Sequence, residues 1–382
     1  MDLELSEEQA AVRALAASFT DREIVPHAAA WDRAESVDRA IVGRLGTLGF
    51  LGLTLPEEYG GSGGDHLAYC LVLEELGRGD SAVRGIVSVS LGLVAKSVNA
   101  YGTEAQKRHW LPRLTSGEAL GCFALTEPGT GSDAANLTTR AVRDGDSWLI
   151  SGTKTFITNG TWADVALVLA RTGGPGHRGI TAFLVPTGLP GVTRREIHGK
   201  LGLRGQATAE LVLDAVRVPD DARLGEAGKG FTVAMAALAK GRMSVAAGCV
   251  GIARACLEAA VRHAGEREQF GVPIASHQLV QQLLAGIAVD VEAARLLTWK
   301  VADHIDRGLP FATESSVAKL FASEAAVRAA NNALQVFGGY GFIDEYPVGK
   351  YLRDARVMTL YEGTSQIHQL LIGRALTGVN AF

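Results

Sequence analysis

The chain has 382 residues, 47% of them hydrophobic and 20% charged, with a formal net charge of −4. A chain of this size and apolar content packs into two or three domains, and its near-balanced charge excludes a nucleic-acid groove or a polybasic membrane patch. Four cysteines, Cys70, Cys122, Cys249 and Cys256, have neither metal-ligand nor C-x-x-C spacing. They read as small buried hydrophobes in a reducing compartment, and no metal site is expected. Met1-Asp2-Leu3-Glu4 opens without the basic and apolar regions of a signal peptide, and no stretch is expected to approach the roughly 18 apolar residues of a membrane span. The expectation is a cytoplasmic protein without a membrane span.

Residues 5–120 are rich in Ala, Leu and Glu at helical spacing, and Ser6 with Gln9 fits a capping box. The Leu55-Pro56-Glu57-Glu58-Tyr59-Gly60-Gly61 stretch reads as a loop. From 122 to 225 short runs rich in β-branched or aromatic residues, 148–150, 154–158, 165–169, 181–185, 211–213 and 216–218, are separated by turn-forming residues. No helical repeat separates them, which predicts an antiparallel sheet or barrel. After Gly230 the pattern is helical again, with one long helix through Phe231, Met235, Leu238, Val245, Cys249 and Cys256 and further helices over 279–305, 315–337 and 364–376. The predicted architecture is mainly α with a β middle: a helical N-terminal domain (1–121), a barrel-like β domain (122–228) and a C-terminal helical bundle (229–382).

Four segments carry candidate chemistry. Leu125-Thr126-Glu127-Pro128-Gly129-Thr130-Gly131-Ser132-Asp133 offers glycines, hydroxyls and free amides to a flat heterocycle or a phosphate, though taken alone it is also an ordinary turn. Arg242 falls on the apolar stripe of the long helix, where it needs either a carboxylate on a neighbouring helix or an anionic or carbonyl-bearing ligand. Arg267-Glu268-Gln269-Phe270-Gly271 pairs a cation with an aromatic between two helices and suits a pyrophosphate, or is a plain polar loop. Tyr361-Glu362-Gly363-Thr364 places a glutamate just before a helix that Thr364 would cap; judged locally, Glu362 is ordinary surface. The histidines, among them His109, His263 and His277, read as solvated or structural. The H-E-x-x-H, G-x-S-x-G and Walker A patterns are absent, and the glycines at 338, 339 and 341 follow a helix rather than a strand, against a Rossmann fingerprint.

Together and in this order, these segments resemble the acyl-CoA dehydrogenase family over essentially the whole chain. The resemblance rests on Leu125 to Asp133, on Gln335-Val336-Phe337-Gly338-Gly339-Tyr340-Gly341-Phe342 with Glu345, Lys350 and Asp354, and on Ile157-Thr158-Asn159-Gly160 and Arg267-x-x-Phe270-Gly271. It implies the three-domain fold, an FAD cofactor, a homotetramer or homodimer, and electron-transfer flavoprotein as acceptor. By the same resemblance Phe123, Leu125, Thr126, Gly131, Ser132, Phe156 and Thr158 meet the flavin. Arg267, Phe270, Gln278, Gln335, Gly338 and Gly339 hold an FAD shared across a subunit interface, with Thr364 and Gln366 as further contacts. Ser132, Met235, Leu238, Arg242, Tyr361 and Gly363 match substrate positions.

Glu362 matches the catalytic base of the short- and medium-chain branch. Another branch carries its base beside the arginine on the long helix, where this chain has Gly241. The implied reaction removes the α proton to Glu362 and the β hydride to flavin N5, with the thioester carbonyl polarised by the Glu362 amide and a ribityl hydroxyl. Its product is a trans-2-enoyl thioester. Whether the nearby helix N-terminus lowers the Glu362 pKa or burial raises it is not legible in the sequence.

The chain departs from the family pattern at Phe156, Asn136 and Ala239. Where Ala239 stands, many relatives have an aspartate that helps place the pantetheine arm. This leaves open an acyl carrier protein thioester as donor, or an oxidase of secondary metabolism. A non-catalytic helical interaction protein on the same scaffold is a third reading.

Overall fold

The computed structural model describes residues 4–380. The expected capping box opens it: Ser6 Oγ accepts from the Gln9 N–H at 3.2 Å, and Gln9 Oε1 accepts from the Ser6 N–H at 3.0 Å. Seven helices follow: α1 (Glu7–Phe19), α2 (Val25–Ala34), α3 (Ile41–Thr47), α4 (His66–Gly79), α5 (Ser81–Val89), α6 (Lys96–Tyr101) and α7 (Glu104–Ser116). Thr103 and Gln106 cap α7 with a second box. Between α5 and α6 the backbone widens into a π-helical segment, Ser90–Ala95, and all six of its residues are buried. Such segments often mark functional positions, and this one borders the site described below.

The strands are β1 (Gly121–Ala124), β2 (Arg140–Asp144), β3 (Ser147–Ile157), β4 (Val165–Arg171), β5 (Ile180–Pro186), β6 (Val192–Glu196), β7 (Ala209–Pro219) and β8 (Arg223–Leu224). They form one sheet in the order β6-β7-β3-β2-β4-β5-β8, with β1 beside β4. Two expectations need correction. The sheet is open, because its outer strands β6 and β8 do not pair, whereas a barrel requires that its edges meet. The start of α8 (Gly230–Glu266) packs against β5 near that edge instead. A Cβ on Gly230 would fall 2.4 Å from the Thr181 carbonyl carbon. Nor is the sheet purely antiparallel, since β1 and β2 both run parallel to β4. Strand alternation sends Cys122 and Ala124 into the sheet's own core, while Phe123 and Leu125 face the helices. That second face forms a wall of the site.

After α8 come a two-stranded ribbon, β9 (Glu268–Gln269) with β10 (Val272–Pro273), and then α9 (Gln278–Asp306), α10 (Ala312–Phe337), α11 (Val348–Met358) and α12 (Ser365–Thr377). Two helical stretches, 81–101 and 230–266, are long and apolar enough to cross a membrane, contrary to that expectation. In their most apolar windows, however, 94% and 72% is buried within the protein. They are core helices, and they carry Arg84, Lys96 and Arg242.

Helices α4 and α8 meet backbone to backbone. A Cβ on Gly77 would stand 2.7 Å from the Gly248 carbonyl oxygen, and one on Gly251 would stand 2.2 Å from that of Glu74. With no side chain able to yield, Gly77→Ala is expected to cost about 1–3 kcal/mol through overpacking. Denaturant unfolding of the purified variant measures this directly, and a stability within a few tenths of wild type would refute the close contact.

Candidate active site

A cavity of about 160 Å³ lies where the helical segments meet the sheet. Its walls come from distant parts of the chain. Arg84 and Ser88 lie on α5 and Leu93 on the π-helical segment. Phe123, Leu125 and Thr126 come from β1 and the loop after it. Phe156 and Thr158 lie at the end of β3, Gln206 precedes β7, and Leu238 lies on α8. Tyr361, Glu362 and Gly363 complete the wall.

Glu362 enters the cavity through two left-handed residues, itself at φ +52° and Gly363 at φ +99°. A non-glycine residue held this way costs on the order of 1 kcal/mol and persists only where its surroundings enforce it. Three neighbours do so. Thr364 caps α12 by accepting from the Ile367 N–H at 3.2 Å, as expected. Lys319 of α10 donates its Nζ to the Gly363 carbonyl at 2.6 Å. His368 lies under the turn, its Nε2 2.9 Å from where a Gly363 Cβ would stand. Burial lowers the Lys319 ammonium to about 8 and His368 to about 3, so the histidine is neutral.

The Glu362 Oε2 atom is buried and has no hydrogen-bond partner. Burial pushes the carboxyl up to about 7, against the opposing pull of Arg84, Lys319 and Arg242. The competition left open by the sequence is therefore won by desolvation. Arg242 donates Nη1 to Ser316 Oγ at 3.3 Å, and its Nε is unpartnered. It forms no ion pair with a carboxylate among the described residues, so that alternative is not realised. Gly241 faces the base directly: a Cβ there would fall 2.2 Å from Glu362 Oε2 and 2.8 Å from Leu93 Cδ2.

The loop after β1 is built around Glu127. Its carboxylate accepts from the Thr138 N–H (2.6 Å), the Thr138 hydroxyl (2.7 Å), the Thr139 N–H (2.9 Å) and the Lys154 ammonium (2.8 Å). Lys154 also donates to the Leu125 carbonyl at 3.0 Å. Burial alone would raise Glu127, but Lys154 and these donors hold it down at about 2. Lys154→Met would leave a buried carboxylate without its counter-charge, an expected cost of about 3–5 kcal/mol in equilibrium unfolding. A loss below about 1 kcal/mol would contradict the assigned role of the pair.

The remaining candidates lie elsewhere. Gly131 and Ser132 are exposed on that loop, away from the cavity wall. Met235 packs on the core one turn before Leu238. Arg267, Gly338 and Gly339 line a second, open cavity with His263, Phe337 and Tyr340. There Arg267 lies over the Tyr340 ring at 5.4 Å, and His263 stacks on Phe337 at 4.0 Å. Gly338 ends α10 at φ +60° and ψ −136°, a conformation open to glycine. Gln335 lies in the last turn of α10, Gln278 opens α9 and Gln366 is exposed at the start of α12. Phe270 is 95% exposed. Within this chain, Arg267, Gly338 and Gly339 form a group separate from the Glu362 cavity.

Three domain families match the chain in order: the acyl-CoA dehydrogenase N-terminal domain over residues 6–118, the middle domain over 122–216 and the C-terminal domain over 228–377. The short-chain specific mitochondrial acyl-CoA dehydrogenase of Bos taurus is 43% identical over 97% of this chain and 90% of its own length. Butyryl-CoA dehydrogenase from Megasphaera elsdenii superposes with a TM-score of 0.97 at 40% identity, covering 98% of this chain and 100% of that one. A glutaryl-CoA dehydrogenase from Mycobacterium smegmatis, solved with FADH2, gives 0.95 at 39% identity over 99% and 96%. The chain belongs to the acyl-CoA dehydrogenase family.

The residues present fit the cofactor of that family. A Cβ built on Gly129, Gly131, Gly338 or Gly339 meets no protein atom within 4 Å, so these backbones lie open to a ligand. Phe156 is 69% exposed at the cavity mouth in a left-handed conformation, where a second planar ring would cover it. The named dehydrogenases among the relatives do not favour an oxidase, a carrier-protein enzyme or a non-catalytic scaffold. The sequence reading missed Arg84, Ser88, Gln206, Lys319 and His368. For Arg84 a signal existed: it is a lone cation among Ala82, Val83, Ile86 and Val87. The others are unremarkable in sequence and gain meaning only from the cavity.

Proposed function

We propose that Glu362 is the base that removes the α proton of the substrate in this FAD-dependent dehydrogenase, which converts an acyl-CoA to its trans-2-enoyl thioester. The observation that carries this reading is the Glu362 carboxylate itself. Its Oε2 is buried and without a partner, its pKa is raised to about 7, and a strained backbone turns it into the cavity. A carboxylate freed of hydrogen bonds and titrating near neutrality is a far stronger base than one in water. The proton goes to Oε2, which has no competing donor. The Glu362 N–H, which makes no backbone hydrogen bond among the described residues, is free to polarise the thioester carbonyl. Lys319 and His368 hold the turn so that carboxylate and amide keep one orientation. Bound FAD supplies the acceptor for the β hydride.

Phe123, Leu125, Thr126, Phe156 and Thr158 would hold the flavin ring. Arg267, Phe270, Gln278, Gln335, Gly338 and Gly339 would hold the rest of an FAD shared with a second subunit. Phe270, Leu279 and Phe342, exposed at 95%, 75% and 88%, support a homotetramer or homodimer. Electron-transfer flavoprotein as acceptor, a cytoplasmic location, a role in fatty acid metabolism and domain limits near 121 and 228 belong to the same reading. Anaerobic titration of the yellow holoenzyme with acyl-CoA thioesters tests the reaction. Bleaching of the flavin absorbance is expected, and a flavin that no thioester bleaches would refute it.

A further inference from the structure

Gln206 lines the active-site cavity just before β7 and is 5% exposed. Its Oε1 accepts from two hydroxyls, Thr158 Oγ1 at 3.2 Å and Thr208 Oγ1 at 3.3 Å. Its Nε2 lies against α5, where a Cβ on Gly85 would fall 2.0 Å from it. Any larger residue at position 85 would displace the amide. Glycine weakens the interior of a helix, so its presence in α5 is accounted for by the side chain it admits.

The pair is held from both sides. The Gln206 N–H donates to the Leu203 carbonyl at 3.0 Å, and the Leu203 N–H donates to Asp354 Oδ1 at 2.6 Å. The other oxygen of Asp354 pairs with Lys350 at 2.5 Å, and Lys350 lies 3.2 Å from Asp80. Asp80 in turn caps α5 by accepting from the Ala82 N–H at 2.7 Å. These three buried charges tie the start of α5 to the turn that carries Gln206.

Thr158 is the member of this group that meets the flavin in the reading above. It lies two residues beyond Phe156, at the end of β3, on the cavity wall. A hydroxyl has one proton to donate and two lone pairs to accept with. With its proton committed to Gln206, Thr158 can only accept from a bound ring. The oxidised flavin presents an acceptor at N5. Once the hydride has arrived, N5 carries an N–H.

We infer that Gln206 is a positioning residue for the redox step: it commits the Thr158 hydroxyl to accept the N–H that the flavin gains at N5, and so favours the reduced cofactor over the oxidised one. This rests on the dehydrogenase reading above and extends it to a residue that reading does not use. The α proton still goes to Glu362, and the β hydride, a proton with two electrons, goes to N5. Gln206 and Thr158 exchange no atoms.

The test is the reduction potential of FAD in the purified holoenzyme, read by equilibration with a redox dye in the absence of substrate. Gln206→Met is close in volume and has no acceptor oxygen. It is expected to lower the reduced-to-oxidised ratio at a fixed potential on the order of tenfold, the weight of one hydrogen bond, which for a two-electron couple is a potential about 30 mV more negative. Thr158→Val is expected to do the same, and Gln206→Met to add nothing in the Thr158→Val background, because it acts only through that hydroxyl. Gly85→Ala, which displaces the amide, should shift the potential in the same direction. A potential unchanged or raised in Gln206→Met or Gly85→Ala overturns the inference, as does an equal drop with and without the Thr158 hydroxyl. Should Gln206→Met not fold, Thr158→Ser against Thr158→Val decides: only the valine variant is expected to lower the potential, and equal potentials overturn the inference. A wild-type protein that binds no FAD strikes the dehydrogenase reading instead.

Discussion

Glu362→Gln is expected to lower kcat by about 10⁴-fold, the upper end of what a general base supplies, with FAD content and thioester binding retained. The amide keeps the shape of the carboxylate but cannot accept the proton. Binding is followed by the perturbation of the flavin spectrum, and turnover by its bleaching. Near-normal bleaching would remove Glu362 from the mechanism. In the wild type the pH profile carries the same information. Burial disfavours the charged form and lifts the carboxyl from 4.5 to about 7. The active form is the carboxylate, so kcat/KM is expected to be full above about 7 and to fall tenfold per pH unit below it. A limb near 4.5 in free enzyme would mean that the site is wetter than its geometry implies.

Gly241→Ala is the second large effect. Its new methyl would stand 2.2 Å from Glu362 Oε2 and 2.8 Å from Leu93 Cδ2, both inside van der Waals contact. The carboxylate must move by an ångström or more, a displacement worth about 10²-fold in rate when it misaligns a base. The expected result is a loss in kcat with stability little changed. Moving the base follows from the same contact: Glu362→Gly combined with Gly241→Glu should recover part of the rate that Glu362→Gly alone loses. Pre-steady-state flavin reduction measures both, and an unimpaired Gly241→Ala enzyme would show that the two positions are not neighbours in solution.

Much of this was legible in sequence where a local rule and the fold agree. Ser6 with Gln9 and Thr364 before α12 each carry their meaning within one turn of chain, and each occurs as read. The long helix was visible because its apolar spacing persists for ten turns. Strand β1 was missed because Gly121–Ala124 is short and buried on both faces, with no alternation to see. The barrel expectation failed because closure depends on how distant edges meet, which no local pattern encodes. Glu362 was found by resemblance, since its raised pKa arises from α5, α8 and α10 converging on it. Arg84 was overlooked for the same reason.

The cavity draws its walls from residues as far apart in sequence as Arg84 and Gly363. Contacts of such long range cost loop-closure entropy before they stabilise anything, so the cavity exists only once its distant parts are joined. Any molecule that fits there therefore binds only the finished fold. Cofactor loading then acts as a thermodynamic latch: it adds RT ln(1 + [L]/Kd) to the stability of the native state, roughly 2.7 kcal/mol at a hundredfold excess over Kd. The holoenzyme is expected to resist unfolding by that margin over the apoprotein, and the colour of the purified protein to report how much of it has completed its fold.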